Sequence, residues 1–152
     1  MDVPPQHPLT TLPRVLLSLI GLAVLAGAVA YVQLAPGPQW LGLLLWYAGQ
    51  GLVALLLAFA CGATRPTLVG IAIGSLAYWG VFYLWVHTAT QPDALDWLLY
   101  LFAAPGGWLM ALLLARLERR FTGQGGKRWL VLSALATLLA LLLVQVGWML
   151  VL

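Results

Sequence analysis

Five long apolar runs, separated by short polar or proline-bearing segments, organise this chain. They cover residues 15–34, 40–63, 68–86, 94–115 and 129–152. None alternates apolar with polar positions as a strand of a membrane barrel does. Each is long enough as a helix to cross about 30 Å of hydrocarbon. The pattern predicts an all-α polytopic membrane bundle of five transmembrane helices, a single domain over residues 15–152. Residues 1–14, with prolines at 4, 5, 8 and 13, read as an extended tail, because proline lacks the amide donor and resists helix. The fifth run carries Trp129 and Trp148 at its two ends. At 1.5 Å per residue they stand about 28 Å apart, one membrane crossing between two interfaces.

Small residues mark the faces through which helices approach in lipid. The fourth run has an i,i+4 ladder of Ala103, Gly107, Ala111 and Ala115; the third has Gly70 and Gly74. The second offers Ala54, Ala58 and Gly62, and the first offers Ala23 with Gly27. One seam on most helices suits packing within the chain, and Gly70 with Gly74 is expected to serve that packing more than dimerisation. Ala28 to Ala30 also fits a signal-cleavage pattern, but the proline-rich leader and the continuing apolar run favour an uncleaved helix.

Composition agrees with the pattern: 63% of residues are hydrophobic, 7% are charged, and mean hydropathy is +1.00. Charge adds an orientation. Residues 116–128 carry Arg116, Arg119, Arg120, Lys127 and Arg128, five of the seven basic residues, and read as one basic loop. Basic loops stay in the cytoplasm, so the N-terminus is expected inside and the C-terminus outside, with Arg14 and Arg65 also on the inner side. The net charge of +3 then follows from topology, and membrane lipid headgroups, not nucleic acid, are the expected partners of these residues. The one cysteine, Cys61, excludes an internal disulfide and a multi-cysteine metal site.

Candidate chemistry is sparse. No Asp, Glu, Lys or Arg falls within a predicted span core, where ionisable groups mark proton relays and catalytic centres. His87, Asp93 and Asp96 form a candidate external polar cluster at the mouth of the fourth helix, read first as capping and solvation. Pro105, Gly106 and Gly107 lie near the middle of the fourth run, where a helix break exposes backbone groups to a solute in many transporters. A simple kink is the plainer reading. Gln33, Gln50 and Gln145 are polar groups in or near spans, suited to bonds between helices. Aromatic residues crowd the outer half, among them Trp46 and Trp85, as a belt or as the wall of a groove for a lipid chain or partner helix. No Walker loop, GxSxG, HExxH or CxxC occurs.

These features favour a protein that is not an enzyme, needs no cofactor or metal, and works by association, as a subunit or assembly partner of a membrane complex or with itself. The alternative is an oligomeric channel or carrier for a neutral or lipophilic solute. In that reading Pro105, Gly106, Gly107, Gln50, Trp46 and Trp85 are the contact residues. Short loops point to a bacterial cytoplasmic (inner) membrane.

Overall fold

A computed structural model describes residues 11–34, 39–88, 94–120 and 126–151, with backbone only for 11, 30–34, 39–46, 87 and 94–98. Every described element is helical: α1 (Thr11–Leu34), α2 (Gln39–Ala60), α3 (Arg65–Thr88), α4 (Ala94–Arg120) and α5 (Gly126–Val151). Helix closes all backbone hydrogen bonds inside one segment, which these apolar stretches require in lipid. Among the described residues, stretches in α1, α3, α4 and α5 are long and apolar enough to span a membrane; in α2 the side chains are described for the apolar stretch Tyr47–Ala60.

Three predicted ends are corrected. The basic segment 116–128 is not one loop, because α4 runs on to Arg120 and α5 begins at Gly126. Leu114 and Glu118 face inward here while Arg116, Arg119 and Arg120 lie exposed, so the helix can leave the apolar layer with its arginines turned to water. Those arginines also suit the negative end of the helix dipole. The tail ends earlier than expected, since Thr11 to Arg14 is already helical. Pro13 sits in the first turn, where a missing N–H costs no helical bond.

Among the described residues, helices α2 to α5 form the bundle, with α3 and α4 each touching the other three members and α1 lying against α2. The tightest seam joins α3 to α5. A Cβ at Gly70 would stand 2.6 Å from the Leu130 carbonyl oxygen, and one at Gly74 would stand 2.5 Å from that of Ala134. Only glycine lets the two backbones approach so closely, and the pair is used inside the chain. Ala54 and Ala58 of α2 pack with Ile71 of α3 and with Ala111, Leu114 and Ala115 of α4. A second cluster joins Tyr47, Tyr78, Phe82, Val86, Tyr100, Ala103 and Leu141. Small-residue ladders thus close one half of the core and interlocked aromatics close the other.

The α1 seam differs from expectation. Ser18 donates to the Leu56 carbonyl at 2.9 Å, Gly21 faces the Leu56 side chain, and Leu25 faces Gly49. Ala23 and Gly27 are exposed, and among the described residues nothing lies within 4 Å of a Cβ placed on Gly27.

At the arginine-rich end, α2 stops in a glycine C-cap. Gly62 has φ +80°, Gly62 N–H donates to the Phe59 carbonyl, and Ala63 N–H donates to that of Ala58. Thr64 follows and opens α3, and its N–H donates to Glu118 Oε2 at 2.9 Å. The Thr64 hydroxyl donates to Glu118 Oε1. A carboxylate from the end of α4 therefore caps α3 and favours its positive terminus. Trp129 Nε1 donates to Thr67 Oγ1 at 2.6 Å, fixing the start of α5 to the same turn.

Candidate functional site

Glycine and alanine seams bring the middle turns of four helices together, and a small cavity remains where they meet. Gln50 of α2, Ser75 and Tyr78 of α3, Tyr100, Gly107 and Trp108 of α4, and Leu141 of α5 line about 20 Å³ of space. Its polar groups are fixed by the surrounding helices. Trp108 Nε1 donates to the Gln50 carbonyl and Tyr100 Oη to the Tyr47 carbonyl, each at 3.1 Å. Tyr47 and Tyr100 meet edge to face with ring centroids 4.9 Å apart, while Tyr78 stacks on Tyr100 at 5.4 Å. The Tyr78 hydroxyl is buried and, among the described residues, has no hydrogen-bond partner. Such a space takes about one water and no larger solute.

Two of the residues expected from the sequence, Gln50 and Gly107, meet at this cavity. The expected break does not interrupt α4, which is helical from Ala94 to Arg120. Pro105 is exposed, and Gly106 faces Val144 and the Ala140 carbonyl of α5. Trp85 is half-exposed with its ring 5.8 Å from Phe82. The side chain of Trp46 lies outside the described residues, as do those of His87 and Asp96 and the whole of Asp93. Among the described residues, no three His, Cys, Asp or Glu side chains gather as a metal site.

No protein-family model, curated protein or solved structure matches this chain.

Its chemistry must therefore be read from its own surfaces. All seven basic residues stand at the end of the bundle where α1, α3 and α5 begin. Arg116, Arg119, Arg120, Lys127 and Arg128 are exposed there, and Arg119 also donates to the Cys61 carbonyl. Half-exposed aromatics sit toward the other end, with Trp79 stacked on Tyr83 at 5.6 Å and Phe102 against Trp148 at 4.9 Å.

Sequence reasoning did not single out Glu118, Tyr78 or the buried stripe of α5. Signals for all three were present. Trp129, Ser133, Thr137, Leu141 and Gln145 repeat every four residues and are the buried face of α5. Tyr78 continues the spacing of Gly70 and Gly74, and Glu118 follows Leu114 by one turn on a buried face.

Proposed function

We propose that the protein is a non-catalytic membrane subunit that works by association, with α1 as the helix that meets a partner. The observation that carries this reading is the Ala23 and Gly27 face. It has the small residues that let helices approach, yet it is exposed, and among the described residues α2 is the helix against which α1 packs. The small residues Ala54 and Ala58 of α2, Gly70 and Gly74 of α3, and Ala103, Gly107, Ala111 and Ala115 of α4 are buried within the chain. In this reading all five helices cross the membrane. The gathering of Arg14, Arg65, Arg116, Arg119, Arg120, Lys127 and Arg128 at one end supports a cytoplasmic N-terminus and an external C-terminus. The carrier reading has less support, because the midplane cavity of about 20 Å³ suits one water and α4 is continuous past Pro105.

The test is purification from native membranes in a mild detergent, followed by native mass spectrometry of the wild type and Gly27→Leu. A second chain at fixed stoichiometry is expected with the wild type and not with the variant, whose thermal unfolding should stay unchanged. A lone chain in both preparations would reject association. A partner that survives Gly27→Leu would reject the α1 face.

A further inference from the structure

We infer that Arg14 of α1 and Arg119 of α4 form a binding site for a phosphate group at the C-terminal end of α2. Both guanidinium groups converge on one point. Arg119 Nη2 and Arg14 Nη1 lie 2.8 and 3.3 Å from the position that a Cβ on Gly62 would occupy. The absence of a side chain at Gly62, where φ is +80°, leaves that space to them.

Two like charges sharing so small a space repel each other unless an anion lies between them. Arg14 rests over the Phe59 ring at 5.7 Å and Arg119 donates to the Cys61 carbonyl; among the described residues neither has a carboxylate partner. Glu118 is the described acidic side chain at this end, and its two oxygens are engaged by Thr64. The end of α2 itself supplies about half a negative charge, which one arginine already balances. Excess positive charge remains. Guanidinium groups bind tetrahedral oxyanions through paired N–H donors, so a phosphate can span two of them at once.

Depth points to the source of that phosphate. The apolar stretch of α1 begins at Leu12 and that of α4 ends at Arg120, so Arg14 and Arg119 stand where hydrocarbon gives way to headgroups. The Phe59 face beside Arg14 is apolar surface for the first carbons below such a headgroup. A free phosphate ion offers the same oxygens without the chains.

The test uses the full chain, delipidated in a neutral detergent, with native mass spectrometry reading retention of added phosphatidylglycerol, phosphatidylcholine or inorganic phosphate. Phosphatidylglycerol is expected to be retained more tightly than phosphatidylcholine. Arg14→Gln and Arg119→Gln should each weaken that retention about fivefold, the scale of one basic residue at a membrane surface. Arg120→Gln, which removes the same charge from the exposed side of α4, should weaken it less. Arg14→Lys and Arg119→Lys keep the charge but lose the paired donors, and should fall between wild type and Gln. Retention unaffected by inorganic phosphate assigns the site to lipid. Displacement by inorganic phosphate that itself binds with the same arginine dependence assigns it to the free ion. If Arg14→Gln and Arg119→Gln weaken binding no more than Arg120→Gln, in variants whose thermal unfolding matches the wild type, the site is overturned.

Discussion

The α3–α5 seam and the α1–α2 seam both use small residues, but they are closed by different means. Between α3 and α5 the glycines face main chain. A Cβ on Gly74 would lie 2.5 Å from the Ala134 carbonyl oxygen and 2.9 Å from Thr137 Cβ. Between α1 and α2, a Cβ on Gly21 would meet the Leu56 side chain first, at 3.0 Å. A leucine can turn aside; a helix backbone cannot. Lipid chains are as apolar as leucine, so no hydrophobic force distinguishes the two seams and closeness of approach decides their strength. The comparison teaches that α3 and α5 are joined through main chain, whereas the described contacts of α1 with α2 run through side chains.

Replacement of the glycines tests this most severely. Gly74→Ala should cost about 3 kcal/mol, near the upper end for overpacking, because a methyl must push two helices apart. Gly21→Ala should cost below about 1 kcal/mol, the smaller effect of a neighbour that can change rotamer. Unfolding both variants by titration with a denaturing detergent gives the two values. Equal costs would show that α1 is packed as firmly as α5 and would break the comparison.

Hydrogen bonds between helices give a second, smaller contrast. Glu118→Ala removes a charged acceptor from both Thr64 donors and leaves the start of α3 uncapped. The expected loss is about 1.5 kcal/mol. Ser18→Ala removes the 2.9 Å bond from α1 to the Leu56 carbonyl, with an expected loss of about 0.6 kcal/mol. The same denaturation measurement reads both. A Ser18 loss as large as that at Glu118 would mean that α1 is held by its polar contact and not merely positioned by it.

These contrasts were only partly legible in the sequence. Hydropathy locates segments that belong in lipid, and each of the five apolar runs is a helix in the structure. It is less informative about ends, because an arginine stem can lie along apolar surface while its charge reaches water. Thus Arg116 to Arg120 extends α4 although it reads as loop. Faces were legible where small residues repeat, as in the buried Ala103, Gly107, Ala111 and Ala115. On α1 the same reasoning chose Ala23 and Gly27, which are exposed, because a small-residue spacing does not say which partner it meets. Glu118 was hidden among arginines, since its role depends on a turn 54 residues earlier. The cavity was the least legible. Gln50, Tyr78 and Gly107 share it only after four helices have taken their relative heights.

The smallest effect concerns the interior of the bundle and turns on sign. Tyr78 and Tyr100 stack at 5.4 Å beside the same cavity, yet of the two only Tyr100 has a hydrogen bond among the described residues, to the Tyr47 carbonyl. Tyr100→Phe removes a satisfied bond and should lower stability by about 1 kcal/mol. Tyr78→Phe removes a buried hydroxyl that has lost its water without gaining a partner among the described residues, so stability should rise by up to about 1 kcal/mol. The two variants change the same atom type at the same depth, so differences in expression or micelle composition cancel between them. A fall in stability with Tyr78→Phe would mean that the cavity of about 20 Å³ holds a water bonded to that hydroxyl. The bundle would then be closed by a bridged polar contact at its centre as well as by its glycine seam. The contrast with α1, which meets α2 through side chains, one serine bond and Arg14 over the Phe59 ring, would sharpen accordingly.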